Sequence, residues 1–192
     1  VTDAAGWRSI RYSMPPDASN CAPMRCTASF RRNLRQAERR ASAAGVRLAR
    51  LAGPSEDELE ALYAMVLDVE ARSWKGREGR GANLDPMRSF YAGLWRRLAR
   101  RGQLRLLVAE HAGRAVGYLH GARVGDHFRG LQFSFDDDWR GVGLGNVLQL
   151  EMLRWLCEDG ALTYDLGGQS AYKSRWGEAA PPLLGLLLQP RG

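Results

Sequence analysis

The chain of 192 residues is 45% apolar or aromatic, enough for one domain with a real core and too little for two generous ones. No apolar run reaches the length of a membrane span and no leader pattern opens the chain, so the expectation is a cytoplasmic protein with no membrane association. Lys and Arg exceed Asp and Glu by 28 to 21, which suggests an anionic partner; a phosphorylated cofactor, a nucleic acid and simple solubility all fit.

Cys21, Cys26 and Cys157 form no Cys-x-x-Cys pair, and the histidines at 111, 120 and 127 are scattered. That is poor material for a disulfide scaffold or a zinc site, so free thiols and no metal are expected. The basic excess is almost all arginine, and lysine occurs only at positions 75 and 173.

Residues 1–28, with Pro15, Pro16 and Pro23, read as an irregular arm before a domain spanning 29–192. Ser29 offers a cap for a charged helix with Phe30, Leu34, Ala37 and Ala41 on its apolar side and Gly45 as its stop. Val46 to Leu51 alternates as a strand does. Ser55 and Glu58 make a capping box for a second helix that buries Leu59, Leu62, Met65, Val66 and Val69 and ends near Trp74. A glycine-rich loop from Gly76 to Asn83 follows, then a helix opened by Asp85 and Pro86 with Phe90, Tyr91, Leu94, Trp95 and Leu98 facing the core.

After Gly102 the apolar period changes from three or four to two. Leu104–Ala109, Ala115–Ala122 and His127–Phe135 predict three consecutive antiparallel strands. A helix from about Gly143 to Asp159, a strand over Leu162–Leu166, a looped piece through Tyr172 and Trp176 and a last strand from Leu183 to Gln189 complete one mixed α/β sheet.

Arg140, Gly141, Val142, Gly143, Leu144 and Gly145 lie between a strand end and an apolar-patterned helix. Glycines there let backbone N–H groups approach phosphate oxygens at the positive end of a helix, with Arg140 adding charge. The segment lacks the Lys-Ser/Thr of a triphosphate loop, and antiparallel strands precede it, which removes the dinucleotide reading. Glycines that serve only a tight turn remain the alternative.

The pattern Arg-x-x-Gly-x-Gly before a long helix resembles the acyl-CoA signature of the GNAT superfamily of N-acyltransferases. The chain is similar in particular to the branch of BioF2-like and cellulose-biosynthesis-associated acetyltransferases, itself akin to the Fem aminoacyl transferases. The resemblance runs over about residues 29 to 177 and includes Glu70 to Gly76, Tyr164 to Gly168 and Tyr172 to Gly177. It implies an α/β GNAT-like fold with a mostly antiparallel sheet flanked by helices. It also implies transfer of an acyl group from acetyl-CoA or another acyl-CoA to a small-molecule or peptide amine by direct attack.

The implied carrier site is Phe135, Arg140 to Gly145 and Asn146, with Lys173 and Arg175 reaching for the 3′-phosphate. Tyr172 is the implied general acid for the leaving thiolate. Glu70 and Asp165 are the carboxylates to test as bases, with a surface salt bridge and a turn cap as their respective alternatives. Trp74, Lys75, His120, His127 and Asp136 are candidates for the acceptor pocket. Two other functions stay open: an aminoacyl-tRNA-dependent or RNA-associated protein, using Arg31, Arg32, Arg35, Arg39 and Arg40, and a non-catalytic CoA-binding domain. The oligomeric state, homodimer included, is also open.

Overall fold

The computed structural model describes residues 7–14 and 27–183. Its elements in chain order are β1 (Trp7–Ser13), α1 (Ala28–Ala43), β2 (Arg47–Ala52), α2 (Glu56–Arg72), α3 (Trp74–Arg77), α4 (Met87–Arg100), β3 (Leu104–His111), β4 (Arg114–Val124), β5 (His127–Phe135), α5 (Leu144–Glu158), β6 (Thr163–Gly168) and β7 (Glu178–Leu183). Short 3₁₀ turns occupy Asp137–Val142 and Lys173–Arg175. The seven strands form one sheet in the order β2-β3-β4-β5-β6-β1-β7, antiparallel throughout except for β5 beside β6. The α/β, mostly antiparallel architecture expected from the sequence is therefore the observed one.

Strand alternation divides the core. On β3, Leu104, Leu106 and Val108 pack with Leu59, Val66 and Val69 of α2 and Trp95 and Leu98 of α4. Leu107 and Ala109 face the opposite way, into a layer built from Phe30, Leu34, Ala37 and Ala41 of α1 and Leu144, Leu148, Met152 and Leu156 of α5. Full burial of each such leucine or phenylalanine stabilises the fold by about 1.5–3 kcal/mol, so the two layers hold the sheet from both sides.

Local signals set the helix ends. The Glu58 carboxylate accepts from the Ser55 amide at 2.9 Å, as the capping box requires. On α1 the cap is Thr27, whose hydroxyl accepts from the Phe30 amide at 3.2 Å, in place of the expected Ser29.

Three further expectations change. Trp7–Ser13, read as part of an irregular arm, is a strand inserted between β6 and β7; buried Ile10 and Tyr12 alternate with exposed Arg11 over too few residues to register as a period. The last strand is β7 at Glu178–Leu183, and the remainder of the expected strand, 184–189, lies outside the described residues. Cys157, expected as a free thiol, is disulfide-bonded; Cys21 and Cys26 lie outside the described residues. Among the described residues no helix is long and apolar enough to cross a membrane.

Candidate active site

Strands β5 and β6 run parallel but pair only at His127 with Thr163, Phe128 with Tyr164 and Arg129 with Asp165. β5 continues to Phe135 and β6 to Gly168 without further pairing, so a fork opens in the sheet. The Arg129–Asp165 ion pair spans the two strands at the base of the fork. Above it lies a cavity of about 360 Å³ that reaches both faces of the sheet. Phe133, Phe135, Leu166, Tyr172 and Gln149 of α5 line it from the α1/α5 side; Trp74, Lys75, Gln132 and Ser134 line it from the α2/α3 side.

Tyr172 joins this cavity to the glycine segment. Its hydroxyl donates to the Gly145 carbonyl at 3.1 Å, and its ring stacks on Phe133 with centroids 5.9 Å apart. Burial pushes the phenol well above its ordinary pKa, so it stays protonated at neutral pH.

The glycine segment is more tightly packed than an open cradle. Asp137–Val142 is a 3₁₀ turn, and Gly143, at φ +81°, caps α5 in the left-handed region. A Cβ on Gly143 would stand 3.1 Å from the Ala37 Cβ of α1, and one on Gly145 would stand 3.0 Å from the Phe135 ring. Both glycines thus serve close packing of α5 on its neighbours. Arg140 pairs with Asp137 at 2.7 Å and Leu144 is buried, whereas Gly141 faces open space. The first turn of α5 still presents the amides of Leu144 and Gly145, which an α-helix leaves without intrahelical partners, whereas the Asn146 amide donates to the Gly143 carbonyl at 3.0 Å. Arg40 stands beside this turn and donates to the Val142 carbonyl at 3.3 Å.

The two lysines of the chain line the same cavity. Lys75 is anchored, its ammonium donating to the Phe133 carbonyl at 3.0 Å and lying 3.4 Å from a Glu70 oxygen. Lys173 is held by no ion pair or side-chain hydrogen bond among the described residues. Burial lowers its pKa and Arg129 adds to that, against the pull of Asp165.

Glu70, proposed from the sequence as a base, is only 1% exposed and does not line the cavity. It accepts from the Tyr118 hydroxyl at 2.8 Å and the Ala82 amide at 3.0 Å. Burial pushes its carboxyl up, but Lys75 and these donors outweigh that and hold it below the usual range. Asp165 is likewise committed, to Arg129 and to the Gly167 amide at 2.8 Å, and acts as the turn cap.

Three acceptor-pocket candidates lie elsewhere. His120 sits in the core against Tyr91, Trp95 and Tyr118, where burial, then Lys75, lowers its pKa to about 3. His127 stands at the closed end of the fork, bonded to Thr163 and 3.2 Å from Asp126. Asp136 pairs with Arg72. Trp74, Lys75, Phe135, Tyr172 and Lys173 are the candidates that the fold brings together. Lys173, assigned by the resemblance to a carrier phosphate, lines the cavity.

Sequence reasoning missed Gln149 and Ser134, and named Arg40 only for the RNA-associated alternative. Gln149 is a polar residue in the apolar run of α5, and Ser134 interrupts Phe133 and Phe135; both are buried. The Gln149 Nε2 has no hydrogen-bond partner, although it lies near the Tyr164 hydroxyl, and the Ser134 hydroxyl, near Glu70, has none by geometry either.

A family model described as an acetyltransferase (GNAT) domain matches residues 28–174, and the chain belongs to that family. Among solved structures it resembles FemX, with a TM-score of 0.68 at 13% identity, over 91% of this chain and 60% of that one. L-PGS from Bacillus licheniformis gives a TM-score of 0.53 at 15% identity, over 86% of this chain and 46% of that one. The aminoglycoside acetyltransferase meta-AAC0020 from an uncultured soil metagenomic sample, solved with sisomicin, gives 0.54 at 12% identity, over 79% of this chain and 99% of that one. These likenesses define the fold. The chain spans three fifths or less of the length of FemX and L-PGS. No curated protein matches it.

Proposed function

We propose that this domain transfers an acyl group from an acyl-coenzyme A thioester to an amine inside the β5–β6 fork. The observation that carries this reading is Tyr172, whose ring lines the cavity while its hydroxyl bonds the first turn of α5. A carrier with its diphosphate on that turn would bring its thioester to the phenol.

The unpaired edge of β5 beyond Arg129 offers backbone groups to an extended, amide-bearing arm, as an added strand would use them. The amine attacks the thioester carbonyl, and the protonated phenol of Tyr172 supplies the proton for the leaving thiolate. Among the described residues no carboxylate lines the cavity, so the amine enters neutral or gives its proton to water. Glu70 acts through Lys75 as a positioning residue. Within the family, the Tyr172–Gly177 segment supports the BioF2-like branch.

The exposed Arg32, Arg35, Arg39 and Arg40 of α1 favour a second reading, an acyl donor carried on RNA. One experiment separates them. Calorimetric titration with acetyl-CoA, and separately with transfer RNA at two salt concentrations, is expected to show binding of the thioester. Failure of any acyl-CoA to bind at high micromolar concentration, with tight and salt-dependent RNA binding, would select the second reading.

A further inference from the structure

Three side chains on the cavity wall carry a polar atom without a partner, and each of those atoms can donate: the Ser134 hydroxyl, which can also accept, and two that cannot. Lys173 brings an ammonium without a partner, Gln149 brings an amide nitrogen without a partner and itself 2% exposed, and neither can accept a hydrogen bond through those atoms. The remaining wall is largely apolar, with Leu119, Phe133 and Leu166, and among the described residues no carboxylate lines it. A buried donor left unmade is costly, and a partly buried cation without a counter-ion adds to that cost, so this arrangement is stabilised by an acceptor-rich anion. A polycationic amine finds no counter-charge here. One unpaired cation matches a singly charged group; a phosphate monoester, close to doubly charged at neutral pH, would call for a second.

We propose that the cavity binds a carboxylate-bearing ligand, with Lys173 as its counter-ion and the Gln149 amide as a second donor. As a statement about substrate, it rests on the reading of this cavity as the transfer site. The carboxylate then belongs either to the acceptor or to the acyl group.

The test exploits the presence of only two lysines. Reductive ¹³C-methylation preserves their charge and gives each a separate resonance, assigned with Lys173→Met. Titration with phenylacetate is expected to move the Lys173 signal, while the isosteric phenylacetamide leaves it in place. Lys173→Met should weaken phenylacetate binding about tenfold or more, and Gln149→Leu by a smaller factor, each in protein with an unchanged melting profile. Equal response to acid and amide, or phenylacetate binding that survives Lys173→Met, would overturn the proposal.

Two turnover arms locate the carboxylate. With acetyl-CoA as donor, L-phenylalanine is compared with L-phenylalaninamide; with one neutral acceptor, malonyl-CoA is compared with acetyl-CoA. A preference for the acid in the first arm assigns it to the acceptor, and in the second to the acyl group. Turnover with no preference in either arm would overturn its assignment to a substrate. If no acyl-CoA binds at all, the donor reading fails while the lysine titration still stands on its own result.

Discussion

The glycine turn before α5 and the fork between β5 and β6 do different work with different materials. The turn is built from backbone: a left-handed Gly143 against Ala37, Gly145 against Phe135 and the first amides of a helix. The fork is built from side chains that arrive from α3, α5, β5, β6 and the turn after β6. Backbone sites tolerate many carriers of one chemistry, whereas side-chain cavities select. The donor class is therefore expected to depend on the turn and the choice of partner on the fork.

The sharpest way to break this division is at Tyr172, the residue common to both regions. Tyr172→Phe is expected to lower kcat about a hundredfold while leaving the acetyl-CoA Kd unchanged. Steady-state kinetics with calorimetry measures both, and unchanged turnover would remove the phenol from the chemistry. Next comes Gly143→Val, which forces a branched side chain into a left-handed, crowded position. It should weaken acyl-CoA about tenfold to a hundredfold, while Gly141→Ala, facing open space, leaves the melting temperature as it was. Equal affinity in the two variants would move the carrier's phosphates away from this turn.

The wall behind the fork predicts an acid sensitivity. His120 has a folded-state pKa of about 3, below the ordinary 6.5, so the unfolded chain binds the proton first between those values. Stability should fall as pH drops through that window, and His120→Phe should flatten the decline by roughly 5 °C in Tm at its lower end. Parallel declines in the two proteins would show that water reaches the ring. The smallest effect is expected at Arg40, beside the turn: Arg40→Ala should weaken acyl-CoA about threefold and reduce the salt dependence of binding. Loss confined to RNA binding would assign this arginine to the other donor.

Much of the fold was legible because its signals are local. The period change after Gly102, the Ser55–Glu58 box and the apolar stripe of α5 each depend on a short window, and each appears where expected. β1 escaped because its alternation is brief, and its two neighbours in the sheet are remote in sequence. The same limit governs the site. Tyr172 and Lys173 were singled out from a contiguous motif, but the cavity that joins Lys173 to Lys75 and Gln149 arises from strands that part after three paired residues. Carboxylates illustrate the limit most clearly. Glu70 and Asp165 look equally available in the sequence, and only the fold reveals that Lys75 with Tyr118, and Arg129 with the Gly167 amide, already occupy them.

The central claim, that one residue couples a backbone phosphate site to a side-chain transfer site, is tested most directly by a crystal structure of the acetyl-CoA complex. The expected result has the diphosphate on the amides of Leu144 and Gly145, the amide-bearing arm along the open edge of β5, and the sulfur within hydrogen-bonding reach of the Tyr172 hydroxyl. Acetyl-CoA seated on the arginine face of α1, or a thioester that never enters the fork, would contradict it.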